Sequence, residues 1–199
     1  MRNVLCLLQS SRRSRITHKE NNMSNMVVEQ GDETPELETA LETMTLHEWI
    51  DLHDYDHTEI AWLSDAGLDF GMGDLGITDA QGAVDARAGD CYIINTAREL
   101  DLECNLKMPV DPYDGRYRVR HMLKAIANQI HINLRNSERV VVNCYMGIER
   151  SVLSVAWYLH RYKDMTLDEA YDHIRKVRPI ALDRRHWAGV KSIEERRIT

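Results

Sequence analysis

The chain has 199 residues, 43% of them hydrophobic and 29% charged, with a formal net charge of −7. That length suits one domain of ordinary size plus a tail, with enough apolar side chain for a real core. The acidic balance disfavours generic nucleic-acid binding, and no apolar run approaches the roughly 18 residues of a membrane-spanning helix.

In chain order, Met1–Arg15 carries a short apolar run and four arginines without an acid. It reads as a cytosolic chain end, although the arginine-rich composition leaves a mitochondrial-type leader open. Residues 18–42 are polar and increasingly acidic, which reads as disorder; residues 1–43 are thus an N-terminal tail. Residues 44–67 read as a short helical lead-in. Leu46, Trp49, Ile50 and Leu52 recur with helical spacing, and Ile60, Trp62 and Leu63 follow. His53, Asp54, Asp56 and His57 crowd one polar turn and read as a solvated link rather than a metal cluster. A single domain is expected over residues 68–199.

Within it, residues 90–97 contain a strand. Val119, Met122, Leu123, Ile126, Ile130 and Leu134 fit one face of a long helix ending near Asn136. A β-branched strand is expected at residues 139–143. Val152, Val155, Ala156 and Leu159 give the next helix a buried stripe. Thr166 and Glu169 form a capping box for a helix through Arg175, and Pro179 ends that pattern. Trp187, Val190 and Ile193 suit a final helix. The reading is α/β: a central, mostly parallel sheet flanked by helices, with an anion site at the C-terminal end of a strand.

The chemistry lies at the junction of the valine strand and the apolar helix, Asn143-Cys144-Tyr145-Met146-Gly147-Ile148-Glu149-Arg150-Ser151. A strand, a tight loop and a helix start aim several unsatisfied N–H groups at one point, which attracts an oxyanion. The same groups favour a thiolate at Cys144 over its usual pKa of about 8.5. The planar fork of Arg150 suits two oxygens of a phosphate. Ser151 can donate a hydrogen bond to the sulfur and help it leave.

This motif resembles that of the cysteine-dependent protein tyrosine phosphatases, in particular the small, atypical dual-specificity branch. The family signature is His-Cys, five residues with glycine third, then Arg and Ser or Thr; Cys144, Gly147, Arg150 and Ser151 match it. The resemblance extends over about residues 68 to 195. Phe70-Gly71-Met72-Gly73 with Ala80 and Ala83 is similar to the opening strand and turn, and residues 92–97 to the next core strand. Residues 108–111 are similar to the strand leading into the acid loop, and residues 166–170 and 177–179 to the penultimate helix and its exit. The resemblance implies a dual-specificity phosphatase fold. It also implies a two-step reaction in which Cys144 attacks phosphorus while an aspartic acid protonates the leaving oxygen, and the aspartate then activates water. The loop residues Cys144 to Arg150 would hold the equatorial oxygens.

The family's acid lies roughly thirty residues before the cysteine. Asp111 precedes Cys144 by 33 residues and Asp114 by 30, in a turn-rich segment. Asp111 directly follows the expected strand and is favoured; Asp114 is the alternative. Three positions depart from the family. Asn143 replaces a histidine that organises the loop. Glu149 places a carboxylate beside Arg150, where it repels phosphate if it points inward. Asp183 stands where relatives place an asparagine that supports the loop, and equally suits a helix N-cap before Arg184. No lysine or arginine lies between Cys144 and Arg150, which argues against a polyanionic inositol phosphate.

The resemblance implies a protein phosphatase acting on phosphotyrosine and phosphoserine or phosphothreonine through a cysteinyl-phosphate. Two other readings stay open: a catalytically weak or inactive module that binds phosphoproteins, and an RNA 5'-phosphatase. The expected partner is a phosphorylated protein, with no membrane and no nucleic acid beyond such an RNA end. No metal or cofactor is expected, since Cys6, Cys91, Cys104 and Cys144 lack paired metal spacing. A backup disulfide between Cys144 and Cys91 or Cys104 is conceivable. A thiolate nucleophile implies a reducing compartment, the cytoplasm or nucleus.

Overall fold

The computed structural model describes residues 56–191. The tail, the helical spacing from Leu46 to Leu52, and Ile193 lie outside the described residues. Among the described residues, one sheet contains β1 (Ala61–Trp62), β2 (Asp74–Thr78), β3 (Tyr92–Asn95), β4 (Leu106–Lys107) and β5 (Arg139–Asn143) in the order β1-β2-β5-β3-β4. Only β1 runs antiparallel to its neighbour. The helices are α1 (Ala80–Ala88), α2 (Arg116–Arg135), α3 (Arg150–Tyr162) and α4 (Leu167–Val177).

The central place of β5 explains its composition. Val140 and Val142 face the larger core with α2, α3 and α4, while Val141 faces a smaller cluster with Ala83 and Ala86 of α1. A strand buried on both faces reads as a continuous apolar run rather than an alternating one. Helix α1 approaches the sheet closely because its inner face is small: a Cβ on Gly82 would collide with the Thr78 hydroxyl and the Thr58 carbonyl. Helix α2 buries Val119, Leu123, Ile126, Ala127, Ile130 and Leu134, and α3 buries every residue from Ser151 to Leu159. The capping box of α4 forms, with the Glu169 N–H donating to Thr166 Oγ1 at 3.2 Å and the Thr166 N–H to Glu169 Oε2 at 2.8 Å. The Thr166 N–H, and then the Thr166 hydroxyl at 2.8 Å, donate to the Glu169 carboxyl and hold it below its usual range.

The long helix, the valine strand and the two helices after it fall where the sequence places them. Four segments differ. Residues 61–66, read as part of a helical lead-in, form the edge strand β1 and a 3-10 turn, Leu63–Ala66. Phe70–Gly73 is not strand: Gly71 has φ +72° and its N–H donates to Asp69 Oδ1 at 2.7 Å, which makes a turn. The strand starts at Asp74, and Ala80 and Ala83 lie on α1, capped by Asp79 Oδ1, which accepts the Gly82 N–H at 2.8 Å. Beyond β4 the chain stays alongside β3 and its exit, with Met108 N–H donating to Asn95 O at 2.8 Å and Val110 N–H to Thr96 O at 3.0 Å. The expected final helix is a 3-10 turn, Arg185–Ala188, stopped by Gly189 at φ +69°. A left-handed residue there reverses the chain before an α-helical turn can propagate.

Candidate active site

Cys144 leaves the C-terminal end of β5, and its loop closes onto the start of α3 at Arg150. The Cys144 sulfur is nearly inaccessible, with the residue 2% exposed, and lies 3.4 Å from Ser151 Oγ. Burial pushes the thiol pKa up. The Ser151 hydroxyl, the N–H groups of Ser151 and Glu149, and the charge of Arg150 more than offset this and leave it below the usual value. Cys91 shows the opposite balance: burial, without such donors, raises its thiol pKa. Cys91, Cys104 and Cys144 are free thiols, and the first two belong to the small cluster beneath α1.

The loop is fixed from several sides. Gly147 has φ +70°, and a Cβ there would lie 2.6 Å from the Thr78 carbonyl oxygen and overlap the Arg178 guanidinium. Only glycine meets both conditions. The Ala80 N–H donates to Tyr145 O at 3.2 Å, and the Leu182 N–H donates to Ile148 O at 2.9 Å. Arg178 is fully buried; its Nε donates to Gly147 O at 2.5 Å and its Nη2 to Met146 O at 3.1 Å. The same guanidinium reaches His57 O at 2.9 Å and Glu59 O at 3.4 Å. It thereby turns loop carbonyls outward toward a cation, which leaves N–H groups for the opposite side.

Arg150 is held by Glu99, which accepts two parallel bonds of 2.6 and 2.8 Å from the guanidinium. This pair raises the arginine pKa and lowers that of Glu99, with the side-chain hydrogen bond the chief cause in both. Glu149 accepts from Arg184 Nε at 2.7 Å, so its charge is countered by an arginine from outside the loop. Asn143 is fully buried. Its backbone O accepts from the Thr96 N–H at 2.9 Å and from Thr96 Oγ1 at 2.7 Å, whereas its side chain makes one long 3.5 Å bond to Cys144 O and leaves Oδ1 without a partner. Asp183 spends both carboxylate oxygens on Arg185, at 3.0 Å to its N–H and 2.7 Å to its Nε. The side chain that supports the loop from this end is Arg178, not Asp183.

Asp111 caps a 3-10 turn, Pro112–Asp114, whose last residue is Asp114, and Arg98 bridges the two carboxylates. Asp111 Oδ1 accepts the Tyr113 N–H at 3.0 Å, and Oδ2 lies 3.5 Å from Arg98. Asp114 is more tightly engaged, with Arg98 at 2.9 Å and Arg118 at 3.2 Å. The hydrogen bonds of Thr96 connect the two halves of the site. Thr96 bonds Asn143 on one side and Val110 on the other, so Cys144 and Asp111 emerge at the same end of the sheet, about two strand spacings or ~10 Å apart. Among the described residues no group of three or more His, Cys, Asp or Glu could hold a metal ion, and no helix is long and apolar enough to cross a membrane.

Glu99, Arg98, Arg178 and Arg184 were invisible to motif reading. Arg178 alone left a trace, a charged residue between the buried face of a helix and a proline.

A cysteine at a strand end, a tight loop and an arginine at a helix start are thus brought together at one end of a mostly parallel α/β sheet. The family model "Dual specificity phosphatase, catalytic domain" matches residues 87–196, and the chain belongs to that family. It is also 34% identical over 58 residues to "Putative tyrosine phosphatase 123R" of Invertebrate iridescent virus 6, an alignment covering 29% of this chain and 41% of the viral protein. The chain thus spans about two-fifths of the length of that curated relative. The fold is similar to that of human DUSP28, with a TM-score of 0.50 and 19% identity over 57% of this chain and 82% of that one. Human tyrosine phosphatase-like serine/threonine/tyrosine-interacting protein aligns over 60% of this chain and 89% of its own, at 14% identity and a TM-score of 0.47.

Proposed function

We propose that the chain is a protein phosphatase that hydrolyses phosphotyrosine and phosphoserine or phosphothreonine through a cysteinyl-phosphate intermediate. The observation that carries this is the Cys144 sulfur, which is buried and yet held below its usual pKa by Ser151, loop N–H groups and Arg150. A buried cysteine with a purely packing role has its pKa raised, as Cys91 does.

In the first step the Cys144 thiolate attacks phosphorus in line, and Asp111 gives its proton to the departing alcohol or phenol oxygen. The loop N–H groups and Arg150 bind the equatorial oxygens, where negative charge collects. Arg150 is already oriented by Glu99, so little order is lost when it engages phosphate. In the second step Asp111 takes a proton from water, the water oxygen attacks phosphorus, and sulfur leaves as thiolate with Ser151 donating to it. Asp111 suits the acid role better than Asp114 because it faces one distant guanidinium instead of two close ones. Two close guanidinium contacts tether the Asp114 carboxyl, whereas Asp111 is freer to reach a leaving oxygen. A nucleophile of this kind needs a reducing compartment, and we place the protein in the cytoplasm on that ground.

The test is hydrolysis of an aryl phosphate across pH 5 to 8 by the wild type, Cys144→Ser, Asp111→Asn and Asp114→Asn. Turnover should vanish without the sulfur and fall far more for Asp111→Asn than for Asp114→Asn. Absence of cysteine-dependent turnover would sink the enzyme reading, and the reverse order of the two asparagine variants would move the acid to Asp114.

A further inference from the structure

Beside the phosphate loop lies a second cleft of about 530 Å³. It opens between the N-terminal end of α1, the segment 100–102, and the loop residues Tyr145 and Met146. Those two residues directly follow Cys144, and the bond from Ala80 to Tyr145 O fixes cleft and loop as one piece. A peptide with its phosphate in the loop would therefore carry its neighbouring side chains past this opening.

The cleft wall is apolar, formed by Val84, Leu100, Leu102 and Met146. Val84 is 53% exposed, an unusual place for a valine on a helix surface. Four titratable side chains line the same cleft: Asp79, Asp101, His57 and Tyr145. Asp79 caps α1 with one oxygen and lies 3.6 Å from His57 Nε2 with the other. Asp101 is exposed and makes no ion pair or hydrogen bond among the described residues. No lysine or arginine lines the cleft. An apolar wall several methylenes long below an uncompensated carboxylate suits a long side chain with a cationic tip.

We propose that this cleft is a subsite for a lysine or arginine flanking the phosphorylated residue of a protein substrate, with the aliphatic stem on Val84 and Leu102 and the cation at Asp101. The proposal rests on the phosphatase reading of the Cys144 loop and adds to it a preference for basic sequence beside the phosphate.

The experiment uses full-length protein carrying Cys144→Ser, which keeps the loop and removes turnover. Binding is measured for phosphopeptides identical except for Lys, Ala or Glu at the two positions on either side of the phosphoresidue. The best Lys peptide should bind about 10-fold more tightly than its Glu counterpart at low salt, and the ratio should shrink as ionic strength rises. Adding Asp101→Lys should abolish or invert the ratio, and Asp101→Asn should reduce it. Equal binding of Lys and Glu peptides, a ratio that survives Asp101→Lys, or no binding of any phosphopeptide would each overturn the subsite. Aryl phosphate turnover by the parent protein separates the two readings: its absence ends the enzyme proposal, while the peptide ratios still decide the cleft.

Discussion

Replacing Arg178 by methionine tests how the phosphate loop is held. Methionine keeps most of the aliphatic volume and removes the guanidinium. Four backbone carbonyls then lose a charged donor: Gly147 and Met146 in the loop, His57 and Glu59 before β1. A buried acceptor stripped of its partner costs about 1–3 kcal/mol. The two carbonyls nearest solvent, those of His57 and Glu59, can recover part of this from water. Counting the two loop carbonyls in full and the others at a fraction gives about 3–5 kcal/mol, a large share of the ~5–15 kcal/mol typical of a domain. The loop has another option, which is to rotate Met146 O and Gly147 O toward solvent. That rotation would turn their peptide planes and misaim the N–H groups that bind the oxyanion. Urea unfolding followed by tryptophan fluorescence reads the first effect. Aryl phosphate kcat/KM, measured where both proteins are folded, reads the second and should fall about 100-fold, or ~2.7 kcal/mol. A stability loss below about 1 kcal/mol with unchanged kcat/KM would refute the assignment of Arg178 as the loop's support.

Gly147→Ala should be as damaging to turnover, because its Cβ meets the Thr78 carbonyl at 2.6 Å; a crystal structure would show the loop displaced, and an unmoved loop would contradict the clash. Glu99→Gln should lower aryl phosphate kcat/KM about 10-fold by freeing Arg150, an effect of ~1.4 kcal/mol, and a variant as fast as the wild type would make the pair incidental. The lowered thiol pKa of Cys144 gives a sign to the pH dependence. Its thiolate contributes stability that is complete above the unfolded thiol value and is lost as pH falls through the depressed folded value. The acid limb of kcat/KM should follow that ionisation, and Ser151→Ala should move the limb to higher pH; a profile identical to wild type would remove Ser151 from thiolate stabilisation. Iodoacetamide near neutral pH should label Cys144 ahead of Cys91, whose burial raises its pKa, with peptide mass spectrometry reporting the order.

The parts of this protein legible in sequence are those set by neighbours in the chain. β5 is legible because its middle, Val140 to Val142, is buried on both faces and is therefore a continuous apolar run. The capping box of α4 is local by nature. The residues Cys144, Gly147, Arg150 and Ser151 form a contiguous motif, so their joint geometry follows from one loop. What stayed hidden depends on partners far along the chain. Glu99 precedes Arg150 by 51 residues, and Arg178 follows Gly147 by 31. Glu99 leaves no local mark and Arg178 only its place before Pro179, and the partners of both appear once β3 and α4 are docked. Asp183 suits two roles in sequence, loop support or a cap, and it bonds the Arg185 N–H and guanidinium at the start of the following turn. The α1 segment Ala80–Ala88 was missed as a helix because its inner face is alanine and glycine, which gives almost no apolar contrast. The C-terminal turn suggests a helix in sequence because Trp187 and Val190 are apolar, yet they pack on the core without helical continuity.

The reach of Arg178 also sets the smallest piece of chain that can carry the site. The family signature begins at residue 87, yet the arginine beneath the loop takes two of its acceptors from His57 and Glu59, and β1 seals the edge of the sheet at Ala61 and Trp62. A fragment trimmed to the family match would lose β2 as well as β1 and would strip the buried Arg178 of its bonds to His57 O and Glu59 O. The unit that holds the loop is therefore longer than the family match, and truncation from the N-terminal side should be tolerated only while residue 57 remains.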